Sequence, residues 1–381
     1  MTKKKIIKIS ILIFLVIVIS IIAFSVYKLS ADLPSDIIIR NKTSIKILRS
    51  LEHALKYEEA AERMQEIFPE GACFSVTLYG LSWSNIIKNN PDQEELRSKG
   101  IKEIKWVLDQ YDKAYIAKYF KDTEVEKGVF WLGQKNIMLG KFIEIVASDS
   151  LYTKYIEEFH WNSKNLHGAF LNNGTNHLNS QPGICWPADN VTALSSLVMH
   201  DKLFNTKYKI AYDNWKIWTN NNLDIMTGLP VAQLNNKTGE LLQKSRGCAN
   251  SWIITLISEF DKEYSQDLFT KYKEHFLISR FGIKMFREDP KGVDLPSDVD
   301  SGPIFWGTGA AATGIGLGAA LLNNDFATAN DIYKFINLFC FPSDVEVNGE
   351  KAIEYFYGEL PIADAFIAWQ LSMDNNEKIS K

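Results

Sequence analysis

Two acidic clusters in this sequence carry side chains suited to proton transfer. Asp189 lies shortly after a Trp-Pro pair, and Asp298 and Asp300 stand within three residues of each other just before a Gly-Pro pair. When carboxyl groups are buried beside like charges, one pKa rises towards neutrality, and that group can act as a general acid or base. Cys185 would add a nucleophile if a basic neighbour lowered its pKa. The same aspartates could instead cap helices or form turns, and the two roles are compatible.

Other side chains near these clusters are candidates for holding a substrate. Three tryptophans stand near the starts of apolar helical segments, where their rings could form a platform for a sugar. A histidine falls in the Asn- and Gly-rich stretch 159–183, which we expect to be a long binding loop or lid. The candidate binding residues are Trp186, Asn190, Trp252, Trp306, Tyr79, Lys141 and His177.

A repeat places these residues at equivalent positions. About every 55–60 residues, a loop with small or polar residues opens into a helix spotted with glycine or alanine, and a fixed period of this size indicates a repeat architecture. We refer to these points as the first to sixth openings. They begin near Gly71, Gly133, Trp186, Arg246, Asp300 and Glu359.

Between the openings, amphipathic segments alternate with segments that are apolar on nearly every side. The first kind is typical of helices on a protein surface and the second of buried helices. This alternation predicts one all-α domain, an (α/α)6 toroid, in which the inner-helix N-termini meet at one mouth. Strand signals are weak, apart from a short hairpin over 229–234 with a turn at 235–239.

The N-terminus forms a separate unit. Lysines flank an apolar run over residues 6–26, which has the roughly 20 residues that a helix needs to cross a bilayer. The excess of lysines before the run predicts a cytoplasmic N-terminus and an extracytoplasmic main domain. We therefore expect an anchor in residues 1–30, a linker in 31–42 and the toroid in 43–381, with cleavage of the apolar segment as the alternative.

Composition restricts the partners. The formal net charge of −4 gives no footprint for nucleic acid. The four cysteines have no C-x-x-C spacing, so we expect no metal site, and their pairing stays open. We expect the bilayer and a small-molecule or glycan substrate as partners, and no cofactor. The oligomeric state cannot be predicted.

Several short motifs resemble those of the linalool dehydratase/isomerase family. They begin at Asn136, Gly183, Ser297 and Gly358 and follow the family's order over roughly residues 70–375. The resemblance implies an (α/α)6 barrel that binds a small alcohol between its inner helices. It also implies acid/base side chains and cysteines near the pore, and no cofactor.

The resemblance carries over to site residues unevenly. Cys185 matches a functional cysteine of the family. The family's second cysteine in this stretch corresponds to a position near Asp189, and its catalytic histidine corresponds to Lys141. At these two positions the sequence therefore differs from the family in the residues that would carry the family's reaction.

Three functions fit the sequence. The first is a membrane-anchored enzyme with acid/base lyase, hydratase or isomerase chemistry, using Asp189, Cys185, Asp298 and Asp300. The second is a carbohydrate-active enzyme, a glycosidase or glycan lyase with paired carboxylates. The third is a binding protein that retained the toroid without catalysis. The contents of the central funnel would discriminate among them.

Overall fold

The computed structural model describes residues 3–146, 150–280 and 282–374. Within these ranges the chain forms fifteen α-helices and eight short strands. The helices are α1 Lys3–Leu29, α2 Ile37–Tyr57, α3 Ala60–Ile67, α4 Gly71–Asn89, α5 Glu94–Gln110, α6 Ala114–Ala117, α7 Gly128–Val146, α8 Thr153–Leu171, α9 Pro187–Phe204, α10 Ile210–Asn221, α11 Gly247–Ile257, α12 Lys262–Phe276, α13 Ala310–Leu322, α14 Phe326–Phe339 and α15 Pro361–Leu371. The strands are β1 Gln233–Leu234, β2 Leu241–Gln243, β3 Leu277–Arg280, β4 Ile283–Phe286, β5 Ile304–Phe305, β6 Thr308–Gly309, β7 Ser343–Val347 and β8 Glu350–Glu354.

Six of the described helices close into an inner ring. In ring order they are α4, α7, α9, α11, α13 and α15, and α15 contacts α4 to complete the circle. The helices α2, α5, α8, α10, α12 and α14 alternate with them along the chain and pack outside. The predicted all-α (α/α)6 toroid is therefore confirmed.

Burial follows the two helix types predicted from the sequence. The inner helix α7 is buried along nearly its whole length, including the polar residues Lys135 and Asn136. The outer helix α12 buries one face only, through residues such as Leu268 and Tyr272. Because each inner helix has neighbours on every side, it has no continuous polar face, whereas each outer helix has one that is exposed to solvent.

The expected long loop over 159–183 is wrong for its first half. Helix α8 continues to Leu171, which leaves only residues 172–186 as a connection to α9. Two of its buried positions are polar, Asn162 and Ser163, and the Ser163 hydroxyl accepts a hydrogen bond from Asn136 at 3.0 Å. These polar residues on the buried face hide the helical period from a pattern based on apolar residues.

Four antiparallel hairpins lie in the loops that precede inner helices. The predicted hairpin near 229–239 exists as β1 and β2. The pairs β3–β4, β5–β6 and β7–β8 were not predicted. In particular, β5 and β6 occupy 304–309, between the fifth opening and α13, which begins at Ala310. These hairpins supply several of the groups at the mouth.

The N-terminal helix is long and apolar. Its stretch Ile9–Leu29 has a mean hydropathy of 3.2, which is enough to cross a membrane by length and composition. The first outer helix begins at Ile37, so the connection between these helices is shorter than the predicted linker over 31–42. Residues 1–2 and 375–381, at the outer edges of the predicted domains, lie outside the described residues.

Candidate active site at the mouth of the toroid

The N-terminal ends of the inner helices surround one opening, which we call the mouth. Charged side chains from the first, third, fourth and fifth openings gather there, joined by hydrogen bonds, ion pairs and electrostatic coupling. We call this set the mouth cluster. It consists of Glu70, Asp189, Arg246, Glu288, Asp298 and Asp300.

Asp189 is the most unusual carboxyl group of the cluster. Helix α9 starts at Pro187, a residue suited to the first helical position, and Asp189 follows in the first turn. The residue is only 8 % exposed, and its Oδ2 has no hydrogen-bond partner among the described residues. Burial raises the pKa of Asp189 to about 8; a hydrogen bond with the Ser180 side chain opposes the rise, and the negative charges of Glu70 and Asp300 add to it. Asp189 is therefore protonated at neutral pH and can donate a proton.

Glu70 reaches the mouth from the first opening. It directly precedes α4, whose first residue is Gly71. A Cβ at Gly71 would lie 2.2 Å from the carbonyl oxygen of Met64, so only glycine allows this close turn. Gln181 donates a hydrogen bond to Glu70 Oε1 at 2.8 Å. Burial raises the pKa of Glu70, and the charge of Asp300 adds to the increase.

An ion-pair network forms the other half of the cluster. Arg246 Nε lies 2.8 Å from Glu288 Oε1, and its Nη2 lies 2.8 Å from Asp298 Oδ1. The Cys248 thiol donates to Glu288 Oε1 at 3.0 Å. Burial, followed by the negative charge of Glu288, raises the pKa of Cys248 well above its usual value. This cysteine is therefore a protonated thiol and a hydrogen-bond donor.

Backbone contact fixes Glu288 against the fourth opening. Gly247 N donates to the carbonyl oxygen of Glu288 at 2.7 Å. A Cβ at Gly247 would lie 2.0 Å from the carbonyl oxygen of Arg287, so the segment after β4 can approach α11 only because this residue is glycine. The hairpin β3–β4 thus carries Glu288 to the mouth.

The pKa values of the two aspartates of the fifth opening are shifted in opposite directions. Partial burial alone would raise the pKa of Asp298, but hydrogen bonds from Arg246 and from the Ser301 backbone hold it below its usual value. Asp300 has an exposed side chain. Desolvation at the crowded rim raises the pKa of Asp300, and the adjacent Asp298 charge raises it further. Asp300 acts electrostatically on Asp189 and on Cys248, so it connects the two halves of the cluster.

An aromatic layer lies within about two helical turns below the mouth. The Phe74 ring centroid is 4.9 Å from that of Phe130, 5.5 Å from that of Trp252 and 6.0 Å from that of Phe366. These four residues come from α4, α7, α11 and α15, and Phe74 and Phe366 remain half-buried. We call this layer the aromatic floor. It gives the funnel an apolar surface beneath a carboxyl-rich rim.

The three candidate tryptophans lie in different environments. Trp252 is buried in the aromatic floor, and its Nε1 donates to Thr192 Oγ1 at 3.2 Å. Trp186 is half-buried at the start of α9. Trp306 is 66 % exposed in the turn between β5 and β6, beside an open cavity of about 520 Å³ that Arg280 also lines. Trp306 is therefore the one of these three with a ring exposed at the rim.

Three candidates lie in or beside the segment that leads to α9. Cys185 is fully buried and packs in a small apolar cluster with Val231 and Leu234, and burial raises the pKa of its thiol well above its usual value. Asn190 holds the segment by accepting a hydrogen bond from Leu178 N at 2.7 Å. Burial lowers the pKa of His177 to about 4, so the ring is neutral, with Nδ1 placed 2.8 Å from the Thr175 carbonyl oxygen.

Two candidates lie away from the mouth. The Tyr79 hydroxyl donates to Glu103 Oε2 at 2.9 Å and faces the outer helix α5. Lys141 lies near the C-terminal end of α7 and forms an ion pair of 2.6 Å with Glu259, which follows α11. Both contacts join helices, and neither brings its residue into the mouth cluster.

Sequence reasoning did not identify Glu70, Gln181 or Glu288. Glu70 stands one residue before the first predicted opening, so the repeat itself was the available signal. Glu288 follows a strand that the sequence pattern did not reveal. The described residues contain no group of three or more His, Cys, Asp or Glu placed to hold a metal ion. The four cysteines, all described, are free thiols.

Comparison with known proteins supports the fold. One similar solved structure is that of an unsaturated glucuronyl hydrolase specific for heparin, with a TM-score of 0.55 and 16 % identity over 87 % of this chain and 95 % of that chain. Another is a glycoside hydrolase from family 105 of C. acetobutylicum ATCC 824, with a TM-score of 0.46 and 14 % identity over 77 % of this chain and 93 % of that one. No protein-family model matches the chain, and no curated protein matches it.

Neither of these two structures is a linalool dehydratase/isomerase, so membership of that family stays a prediction. At such low identity a structural likeness carries the architecture and not the activity. The comparison and the closed ring of helices together identify the chain as an (α/α)6 toroid.

Proposed function

We propose that this chain is a carbohydrate-active enzyme that uses Asp189 as the proton donor at the mouth of the toroid. The proposal rests on a buried carboxyl group whose surroundings raise its pKa to about 8 and whose Oδ2 has no hydrogen-bond partner among the described residues. Such a group can protonate a glycosidic oxygen as the bond to the sugar breaks. The carbohydrate-active function is preferred to the small-alcohol reaction because a second carboxyl group, Asp300, stands at the same mouth and because the fold resembles that of a hydrolase described as specific for heparin.

The neighbouring carboxyl groups divide the remaining roles. Asp300 is exposed, and its pKa is raised, so it can reach a water molecule and accept a proton from it. Asp298, held ionised by Arg246, fixes the loop that carries Asp300 through its contact with the Ser301 backbone. Glu70 contributes negative charge that keeps Asp189 protonated. Acid and base are thus assigned from their surroundings: Asp189 is buried with a pKa of about 8, whereas Asp300 is exposed to water.

The side chains at and below the mouth support a glycan. The carboxyl-rich rim can bond to hydroxyl groups, and the half-buried rings of Phe74 and Phe366 can contact the apolar face of a sugar ring. The toroid of this chain resembles that of a hydrolase described as specific for heparin, which is an argument by analogy. An oligosaccharide is therefore the substrate class to test first.

A hydratase or isomerase remains the second candidate. The protonated Asp189 could equally protonate the hydroxyl group of a small alcohol bound on the aromatic floor. Two residues to which the linalool dehydratase/isomerase resemblance gives a role argue against this second candidate. Cys185 is buried among apolar side chains, and Lys141 is paired with Glu259 away from the mouth.

We also propose that α1 anchors the domain in a membrane as a single span, with the N-terminus in the cytoplasm and the toroid outside. The stretch Ile9–Leu29 is apolar, and none of its most apolar window is buried. An apolar helix of this length is stable in a bilayer and costly to expose to water. The anchor would keep the mouth close to a membrane surface.

A screen of the full-length chain in phospholipid nanodiscs tests the function. The panel contains unsaturated heparin disaccharides, neutral oligosaccharides and terpene alcohols, and each reaction is followed by mass spectrometry. We expect turnover of an oligosaccharide by the wild type and by Asp364→Asn, and none by Asp189→Asn. Asp364 is a matched control because it is also a buried aspartate in the first turn of an inner helix.

Three results would contradict the proposal. Turnover of a terpene alcohol alone would favour the hydratase or isomerase. Binding of a glycan without turnover by any variant would favour a non-catalytic role. Equal turnover by the wild type and Asp189→Asn would show that the proton donor is assigned to the wrong residue.

A further inference from the structure

Helix α1, the candidate membrane span, is joined to the domain by a short segment that makes specific contacts with it. At the end of α1, Lys28 Nζ donates to the carbonyl oxygen of Pro342 at 3.4 Å. A few residues later, Asp32 forms an ion pair of 2.9 Å with Lys334. The Leu33 backbone N–H then donates to Asn330 Oδ1 at 2.7 Å. The chain therefore runs back along the outer helix α14, from just past its C-terminal end towards its N-terminal end.

The path of this segment shows at which end of the toroid α1 leaves the domain. An outer helix ends on the side where the next inner helix begins, and α14 is followed by the hairpin β7–β8 and then by α15. The inner-helix starts define the mouth. Because Lys28 contacts Pro342, just after the end of α14, α1 departs at the mouth end. The connecting segment reaches the far end of the toroid at Leu33, which contacts Asn330.

Exposed aromatic side chains occur at the same end. Phe339 is 36 % exposed at the end of α14, and Phe341 and Tyr357 stack beside it in the sixth opening, with ring centroids 6.2 Å apart. The adjacent fifth opening exposes Phe305 and Trp306 in the β5–β6 hairpin. We call these five residues the aromatic rim. Its two openings are neighbours, since α13 contacts α15.

Three residues of the aromatic rim also have a backbone conformation that bulky residues rarely adopt. The φ angles are +50° at Trp306, +49° at Phe341 and +56° at Tyr357. Glycine or asparagine is favoured at such turn positions, so an aromatic residue there costs stability. These three side chains remain between 42 % and 68 % exposed.

We propose that the mouth end of the toroid rests on the bilayer that α1 spans, with the aromatic rim in the headgroup region. The inference rests on the proposed membrane anchoring and adds an orientation to it. Trp, Tyr and Phe partition favourably into the membrane interface. The span emerges beside the rim, so the lipid surface is the partner already in reach. Consequently, the mouth opens towards the membrane surface, and substrate reaches Asp189 from that side.

Matched cysteine substitutions test the orientation. Phe339→Cys and Phe326→Cys lie at opposite ends of α14, about 20 Å apart along the helix, and the native residues are similarly exposed, at 36 % and 40 %. Phe305→Cys and Ile210→Cys make a second pair, one in the aromatic rim and one at the start of an outer helix. Each full-length variant is labelled with a fluorophore and reconstituted in phosphatidylcholine vesicles. The unsubstituted chain, carrying its native thiols, gives the background.

Quenching by lipids with a nitroxide on the headgroup reports distance from the bilayer. We expect the labels at 339 and 305 to be quenched at least threefold more than those at 326 and 210, with iodide in the water giving the reverse order. Equal quenching within the pairs, or stronger quenching at 326 and 210, would overturn the orientation. Absence of the chain from sedimented vesicles would overturn the anchoring and the orientation together. Enzyme activity plays no part in this readout, so failure of the proposed reaction is seen separately.

Discussion

The third and sixth openings look alike in sequence but differ in what surrounds their aspartates. Both inner helices begin with proline and bury an aspartate in the first turn, Asp189 in α9 and Asp364 in α15. Asp364 Oδ1 accepts a hydrogen bond from Tyr355 N at 2.8 Å. Asp189 Oδ2 has no partner within the described part of the chain. A buried acid in this repeat is therefore structural where a backbone N–H bonds it, as at Asp364, and available for chemistry where no backbone donor does and neighbouring acids raise its pKa, as at Asp189.

Burial raises the pKa of both aspartates, so pKa alone does not separate them. The difference comes from neighbours that are distant in sequence. The strand β8 leads to Tyr355, which bonds Asp364, whereas Glu70 and Asp300 crowd Asp189 from the first and fifth openings. Each of the following predictions compares the two openings or their near neighbours.

The largest difference is expected in catalysis. Asp189→Asn removes the proton donor, and we expect kcat/KM to fall on the order of 10²–10⁴-fold. Asp364→Asn keeps an oxygen for the Tyr355 N–H, so its kcat/KM should stay within about threefold of the wild type. Steady-state kinetics on the substrate found in the screen measure both. Similar losses in the two variants would remove the distinction between the openings.

The second difference concerns stability and pH. The native state holds a proton on Asp189 up to about pH 8, while the unfolded chain releases it near pH 4. Because the native state binds more protons between these values, this carboxyl group makes stability fall as pH rises from about 4 to 8. Asp189→Asn lacks this penalty.

Relative to the wild type, Asp189→Asn should therefore gain about 2 kcal/mol or more in free energy of unfolding between pH 4 and pH 8. Denaturant unfolding at the two pH values provides the measurement. A constant difference between the proteins across this range would mean that Asp189 is ionised in the native state.

The third difference appears when the carboxyl groups are truncated. Asp364→Ala leaves the buried Tyr355 N–H without its acceptor, which should cost about 1–2 kcal/mol. Asp189→Ala should cost less, because Oδ2 makes no hydrogen bond to the described residues. Both are measured at pH 4, where the ionisation penalty is nearly absent. A larger loss for Asp189→Ala would give that residue a structural role.

The smallest effect is expected at Cys185, next to the third opening. Its thiol is buried in an apolar cluster and kept protonated by a raised pKa, so Cys185→Ala should change kcat/KM by less than about threefold. The wild-type thiol should also resist iodoacetamide at pH 8. A large loss of activity would restore the role that the linalool dehydratase/isomerase resemblance gives this cysteine.

The sequence predicted the ring because the evidence for it is periodic. Outer and inner helices differ in how many sides are apolar, and that difference can be read without knowing any contact. The site was predicted in part. Asp189, Asp298 and Asp300 stand at the openings and meet in the mouth cluster. Their roles depend on neighbours that no local pattern reveals.

The parts that sequence reasoning missed are contributed by short hairpins and single residues. Glu288 lies two residues after the end of β4, and its position depends on the close approach permitted by Gly247. Tyr79 is a candidate because it lies within an inner helix, and Lys141 because it corresponds to the catalytic histidine of the linalool dehydratase/isomerase family. Each side chain instead contacts a carboxylate of another element, Glu103 and Glu259 respectively. Which side of a fully buried helix faces the funnel cannot be read from a segment that is apolar all round.

The most direct test of the account is the protonation state of Asp189 at neutral pH. Infrared difference spectra between the wild type and Asp189→Asn isolate the C=O stretch of this protonated carboxyl group, with Asp364→Asn as the matched control. The account predicts a band at pH 7 that is present in the wild type and in Asp364→Asn, absent in Asp189→Asn, and lost on titration near pH 8. A wild-type spectrum identical to that of Asp189→Asn at pH 7, with the band appearing only near pH 4, would contradict it.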